Sequence, residues 1–467
     1  MYHPTPTDIR SARLAARVKQ ADLARAVGAS AHALRKWERG LEAPPHHVLA
    51  AIARHLDVDP ALLAEGQAAL AAVPGEGYTT ATAGEGQVTP RRREPPVARR
   101  VLDLFCGAGG LSFGFEATGE FVTTAGIDLL PDRVATFTTN HAHAAGVAGD
   151  LRRFPIDRLH ALAGEVDVVV GGPPCQGFSS IRPFRTLTEG DARNSLGEHY
   201  ALTIARLRPR WFVFENVVGL LTHEGGARLA RLIEALAGAG YAVDWRVLNA
   251  ATFGVPQSRE RVVLVGNRVG ARFRWPDPSH RHDHRSMAGA RAEVVRASPD
   301  LPPAVTVADA IGDLPPVDAG REVTAYADPP TTPYQRHMRE GSPALTLHRA
   351  TTHSARMMEI VRLAGASIAA LPPGMVTSGF SSCYSRLAGD RPSTTLTVNF
   401  VHPASNRCIH PVQHRALTPR EGARLQSFPD RYVFRGNGAQ VVKQIGNAVP
   451  PLLGEVLARA ILASDRV

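Results

Sequence analysis

The chain has 467 residues, 44% apolar and 21% charged, enough to bury several globular cores and far from the composition of a disordered or fibrous polymer. No unbroken apolar stretch is long enough to span a bilayer, and the opening MYHPTPTDIRSAR lacks the apolar core and cleavage site of a secretory leader, so a cytoplasmic protein without a membrane partner is expected. The net charge of +10, carried almost wholly by arginine, favours an acidic partner such as nucleic acid, although an Arg- and Ala-rich composition also follows from a GC-rich genome.

In chain order, residues 1–66 carry apolar residues at helical spacing (Ile9, Leu14, Val18; Leu23, Val27; Leu34, Trp37; Val48, Ile52, Leu56), punctuated at Gly28, Ser30 and Gly40, which predicts a compact all-α domain. Residues 67–97 turn to Ala, Gly, Pro and Thr with a basic run at Arg91, Arg92 and Arg93, and read as a flexible linker. From residue 98 to 270, apolar runs alternate with helical stretches, predicting an α/β domain with a mainly parallel sheet covered on both faces. Strands are expected at 100–105, 121–127, 166–171, 211–215, 243–248 and 261–266, and helices at 111–118, 131–140, 195–208 and 226–238. Residues 271–400 are Pro-, His- and Arg-rich, with only 354–371 clearly helical. The last part, 401–467, regains two helical segments around the loop QIGNAVPP.

Four segments carry chemistry. DLFCGAGGLSFGFEATG (103–119) follows a strand and opens a helix, so its glycines allow a tight turn and close backbone approach to a ligand at a helix N-terminus. It matches neither the GxGxxG dinucleotide fingerprint nor a P-loop. Asp128 and Asp150 close the next two strand-like runs, facing the same crevice. In VDVVVGGPPCQGFSS (166–180) an apolar strand runs into two glycines and two prolines, a rigid bend that exposes Cys175 at a strand's C-terminal end. The other cysteines, Cys106, Cys383 and Cys408, complete no CxxC or Cys/His ligand spacing, so no metal is expected and Cys175 reads as a nucleophile. Glu215 and Asn216 end the strand WFVF, where a buried carboxylate needs a partner or a task. In FGVPQSRERVVLVG (253–266), Gln257, Arg259 and Arg261 alternate and share one face, able to hold a phosphate or a base carbonyl.

These blocks, with LTPREGARLQSFPD (417–430) and QIGNAVPP (444–451), resemble the ordered motif series of the DNA cytosine-5 methyltransferases. The resemblance implies a Rossmann-like methyltransferase domain using S-adenosylmethionine, with residues 271–400 as the target-recognition region. Phe105, Gly107, Gly109, Gly110, Leu111 and Pro174 are then expected to line the cofactor, with Asp128 on its ribose, Asp150 on its adenine and Asn447 completing the pocket. Cys175 is expected to add to carbon 6 of a flipped cytosine, Glu215 to bind its N3 and amine, and Arg261 with Arg259 to hold O2 or the nearby phosphate. The stretch 390–403 resembles the end of the recognition region and is expected to pack on the core.

Residues 20–40 resemble the helix-turn-helix of Cro- and phage-repressor-like regulators, which implies Ser30, His32 and Arg35 in a DNA groove and Gln20 on phosphate. Ala31 stands where that family usually has a polar residue. The partners expected are double-stranded DNA and the chain's own promoter, with the enzyme a monomer on substrate DNA or a homodimer through this domain. An RNA methyltransferase of the same fold is the rival reading; the long 271–400 segment and the helix-turn-helix favour DNA. A pure DNA-binding protein with a dead catalytic half is disfavoured because Cys175 and Glu215 are both present.

Overall fold

The computed structural model describes Ile9, residues 12–13, Ala16 and residues 18–38, 44–60, 86–174, 196–289, 294–295, 297–376 and 379–465. The chain divides into two compact units, Met1–Gly84 and Glu85–Val467. In the first, α1 (Gln20–Ala26), α2 (Ala31–Glu38) and α3 (His46–Leu56) bury Leu23, Leu34, Trp37, Ile52 and Leu56 together with Ile9. Gly28, at φ +68°, makes the turn between α1 and α2, a left-handed backbone that a β-carbon would strain. The buried Glu38 carboxylate is satisfied by Arg13 at 2.5 Å and by the Gln20 amide at 2.7 Å.

The second unit is built on an eight-stranded sheet, ordered β1-β4-β3-β2-β5-β6-β9-β7. Its strands are β1 (Gln87–Thr89), β2 (Arg99–Leu104), β3 (Phe121–Asp128), β4 (Ala145–Ala148), β5 (Val168–Gly171), β6 (Trp211–Val217), β7 (Ala242–Asn249) and β9 (Glu260–Asn267); the short β8 (Gln257–Ser258) lies outside it. Strands β4, β3, β2, β5 and β6 run parallel, whereas β9 and β7 join antiparallel, so the expected 243–248 and 261–266 strands form an antiparallel pair on a parallel sheet. The central strands are apolar on both faces because both are covered. Leu102, Val169, Phe212 and Leu264 face α6 (Ile156–Ala163), α7 (Leu196–Leu207) and α8 (Ala227–Gly238), through Leu159, Ile204 and Leu232. The alternate residues Val101, Val168, Val170 and Val263 face α4 (Gly110–Glu116) and α14 (Pro451–Asp465), through Phe115, Leu453 and Leu457. Helix α5 (Pro131–Asn140) crosses from β3 to β4.

One expectation fails at the linker. Residues 86–97 are not loose: Gln87, Val88 and Thr89 pair with Ala148, Val147 and Gly146, and Arg91 and Arg92 donate to the carbonyls of Leu162 and Thr139. A segment that takes backbone hydrogen bonds from a sheet edge needs little apolar surface of its own, which composition alone does not reveal. These two arginines are thereby engaged within the protein.

The region 271–400 holds more regular structure than expected. Besides α11 (Ala355–Leu363), shorter than the 354–371 stretch, it contains α9 (Val307–Ile311) and α10 (Pro333–Arg339), each begun by a capping box, Thr306 with Asp309 and Thr332 with Gln335. Residues 304–347 share one core with 396–445, where α12 (Pro419–Leu425) and α13 (Gly438–Asn447) lie, so the 400/401 division separates no independent bodies. At the core's centre the fully buried Arg424 guanidinium holds Asp313 at 2.5 Å and Asp430 at 2.7 Å. The short β10 (Ser393–Thr394) pairs parallel with β8, and Leu396 N–H donates to Gln257, so the 390–403 stretch packs on the core as expected.

Candidate active site

The switch point of the sheet lies between β2 and β5, where strand order reverses and ligand crevices form at the C-terminal strand ends. The glycine loop leaves β2 there. Phe105 takes a left-handed backbone (φ +58°), as do Gly107 (φ +52°) and Gly109 (φ +87°). The glycines differ in purpose. A β-carbon on Gly107 would meet nothing nearer than 3.9 Å, so Gly107 and the half-buried Phe105 border open space. One on Gly109 would lie 2.5 Å from His141, and one on Gly110 only 2.2 Å from the Val449 carbonyl. At those two glycines the side-chain direction is filled by neighbouring elements, and the Leu111 side chain is buried in the core. Of the expected cofactor contacts in this loop, Phe105 and Gly107 form the open part of the cradle.

Asp128, at the end of β3, accepts from Gly107 N–H at 3.0 Å and Leu130 N–H at 3.0 Å, bracing the loop. Asp150 follows β4 and accepts from the Arg152 guanidinium at 2.9 and 2.5 Å. Burial by itself would raise the Asp150 carboxyl; the Arg152 hydrogen bonds and charge outweigh it and hold it below the usual range. The C-terminal segment folds back as its motif implies, since α14 packs on α4 with Gly454 against Leu111. Asn447, at the end of α13, is exposed.

The GGPP turn leaves β5 beside β6. A β-carbon on Gly172 would come 3.3 Å from a Glu215 carboxylate oxygen, so a glycine is what lets turn and acid meet. The Asn216 amide donates to the Pro173 carbonyl at 3.3 Å, tying the turn to β6. Pro174 faces a cleft of about 440 Å³ lined by Pro173, Leu196, Phe214, Leu220 and Leu232. Cys175 lies outside the described residues. Across the sheet, Arg261 Nε is 2.9 Å from Glu215 Oε1, and both side chains are nine-tenths buried. Gln257, Arg259 and Arg261 do share a face, with different work: Gln257 binds the Leu425 carbonyl and Gln426, while Arg259 donates to the Ala448 carbonyl at 2.8 Å. Arg259 thus fastens the loop that follows Asn447. In the N-terminal unit, Ser30 caps α2 by accepting from Ala33 N–H, and Ser30, His32 and Arg35 are exposed. Among the described residues no cluster of three potential metal ligands occurs.

Beneath the glycine loop lies a polar chain that sequence reasoning missed. Asp103 on β2 is 2.6 Å from the Ser112 hydroxyl, which is 3.2 Å from His141 Nε2, while His141 Nδ1 is 2.9 Å from the Phe137 carbonyl. The Ser112 hydroxyl donates to the Asp103 carboxyl, and the His141 ring nitrogen lies against the same hydroxyl. Burial pushes the Asp103 carboxyl up to about 7, against the Ser112 hydrogen bond. Because the folded value exceeds the unfolded one of about 3.9, the contribution of Asp103 to stability is complete below pH ~4 and is lost as pH rises to about 7. Asp103→Asn should therefore raise the melting temperature at pH 8 and change it little at pH 4. An equal shift at both would show the carboxyl to be ionised throughout.

A glycine-loop cradle with acids on successive strands, and beside it a buried acid–guanidinium pair against a Pro-Pro turn, lie on a Rossmann-like methyltransferase fold. Residues 99–463 match the model of the C-5 cytosine-specific DNA methylases and residues 8–66 that of a helix-turn-helix domain. The chain belongs to the C-5 cytosine-specific DNA methylase family, and it is a DNA (cytosine-5)-methyltransferase. It is 35% identical over 436 residues to the Type II methyltransferase M.AgeI of Thalassovita gelatinovora, covering 78% of this chain and 99% of the relative. To M.XorII of Xanthomonas oryzae it is 34% identical, covering 78% and 85%. A prophage-encoded DNA modification methyltransferase of E. coli shares the fold with a TM-score of 0.61 at 22% identity, over 79% of this chain and all of that one.

Proposed function

We propose that the enzyme transfers a methyl group to carbon 5 of a cytosine flipped out of a specific DNA duplex, as the modification arm of a Type II restriction–modification or related system. The observation that carries this reading is the Glu215–Arg261 pair against Gly172, three residues before Cys175. The cradle of Phe105, Gly107, Asp128 and Asp150 fits S-adenosylmethionine, with open space at Gly107 and carboxylates at neighbouring strand ends. When bound, that cofactor supplies the electrophilic methyl group.

The residues of the chain do the rest. Cys175, as thiolate, adds to carbon 6 of the ring; Glu215 binds N3 and the exocyclic amine and shares a proton with N3, so that the charge arriving with the thiolate is stabilised. Arg261 holds the O2 carbonyl with guanidinium N–H groups beyond those that meet Glu215 and the Glu260 carbonyl. After methylation the carbon 5 proton is lost to a base and Cys175 leaves, restoring the ring. Carbons 5 and 6 are stacked within a duplex, which is why the base must leave the helix. The exposed Ser30, His32 and Arg35 support DNA binding by the N-terminal unit, with control of the enzyme's own promoter as its task.

The test is methylation of plasmid DNA by the full-length enzyme with S-adenosylmethionine, mapped by bisulfite sequencing. Wild type should mark cytosines within one recurring sequence, and Cys175→Ser should mark none. Marks surviving in Cys175→Ser would overturn the nucleophile, and no marks in wild type would overturn the substrate.

A further inference from the structure

The strand that carries Arg261 has a second face. Glu260, with Ser258 at the end of β8 just before it, meets the segment SHRHDHRSM (279–287), which the function assigned above does not use. In this segment His282, His284 and Ser286 are half-buried, whereas Arg281, Asp283, Arg285 and Met287 are exposed. His284 Nε2 lies 3.0 Å from Glu260 Oε1, and Glu260 Oε2 accepts from Met287 N–H at 2.7 Å. His282 Nε2 reaches the Ser258 hydroxyl at 2.9 Å and stacks on His284, with ring centroids 5.0 Å apart and planes 10° apart. Both ring nitrogens of His284 face acceptors, since Nδ1 is 3.3 Å from the His282 carbonyl. A ring placed so is best satisfied as an imidazolium donating on both sides.

The Glu260 side chain is 4% exposed, so the carboxylate depends on these partners for satisfaction. Its main chain matters to the site, because Arg261 Nη1 donates to the Glu260 carbonyl at 2.7 Å while Arg261 Nε meets Glu215. The contacts form one continuous line: imidazole, Glu260 carboxylate, Glu260 peptide, Arg261 guanidinium, Glu215.

We propose that His284 is a positioning residue for cytosine methylation, which acts through Glu260 to seat the Arg261 guanidinium against Glu215. The proposal rests on the reading of Glu215 and Arg261 as the groups that hold the target base. Charge is the working feature of His284: a neutral ring can donate from one nitrogen only, and it leaves either Glu260 or the His282 carbonyl without a donor. The groups facing the imidazole are Glu260 from β9, and Asp283 and His282 from its own segment. The Glu260 hydrogen bond draws His284 above the ordinary histidine value, whereas burial and the neighbouring His284 charge push His282 below it. Since the folded value of His284 is raised, its support is complete in mild acid and is lost as pH rises through that raised value.

The experiment measures kcat and KM for duplex DNA from about pH 6 to about pH 9 with full-length wild type, His284→Gln and His284→Arg. At the acid end His284→Gln should lower kcat about five- to tenfold with little change in KM, because Arg261 engages the base only after flipping. The deficit should shrink towards unity at the alkaline end, where wild type has lost the charge. His284→Arg, or His284→Lys should the larger guanidinium not fit, keeps a charge at every pH and should retain wild-type kcat at the acid end and exceed wild type at the alkaline end. A ratio of wild type to His284→Gln that stays constant with pH, or charged variants as impaired as His284→Gln throughout, would sink the proposal. Arg261→Ala separates it from the reading beneath it: undiminished methylation by that variant means that Arg261 holds no base, whatever the histidine variants do.

Discussion

Glu215→Gln is expected to lower kcat for methylation by about 10²- to 10³-fold while leaving the affinity for duplex DNA nearly unchanged. Gln keeps the shape of the side chain, its contact with Gly172 and an oxygen for Arg261 Nε, so the β6–β9 junction should fold as before. It loses the capacity to share a proton with the ring nitrogen as the thiolate adds, which is a loss felt in the transition state alone. Single-turnover incorporation of labelled methyl groups, with gel-shift titration of the same duplex, reads both halves. A variant that methylates at more than a tenth of the wild-type rate would remove Glu215 from the chemistry. One that fails to bind DNA would point to misfolding at the Gly172 turn.

Arg424→Ala is expected to cost about 3–5 kcal/mol of stability, the largest effect we expect away from the reaction centre. The guanidinium is fully buried and bridges Asp313 and Asp430, with a further bond to the Ala310 carbonyl at 3.0 Å. Its removal leaves Asp313 to Arg339 and leaves Asp430 to Arg420, at 3.5 Å, and the Tyr326 hydroxyl. Two carboxylates would then sit in the core that joins 304–347 to 396–445 with too little compensation. Arg424→Lys should fall between the two, because a single ammonium cannot reproduce the planar fork that reaches both acids. Urea unfolding followed by tryptophan fluorescence and by circular dichroism would measure the loss. A midpoint within error of wild type would mean that Arg339, Arg420 and Tyr326 satisfy the two aspartates without Arg424.

The central strands were legible because β2, β3, β5 and β6 are buried on both faces and read as apolar runs with chemical residues at their ends. The edge was not. Strand β1 is only QVT and β4 only AGVA, and their pairing lies in backbone hydrogen bonds that leave no mark on composition. Helix α6 leaves little signal because it spans only eight residues between Pro155 and Gly164. The capping boxes at Thr306 and Thr332 were signals that a closer reading of 271–400 would have found. At the site, Glu215 and Arg261 could be named from the sequence, but their contact could not, because β9 turns antiparallel to bring Arg261 opposite Val217. The roles of Asp103, Ser112 and His141 follow from distances across 38 residues of chain, and the task of Gly110 from a carbonyl more than 300 residues away.

That last contact orders events during synthesis. Residues 8–66 of the helix-turn-helix unit are made well before Val449 and Gly454, which back the glycine loop. At roughly 5–20 residues per second, the two events are separated by about 20–80 s. The glycine loop is therefore closed late, by the end of the catalytic unit, after the helix-turn-helix segment has been made.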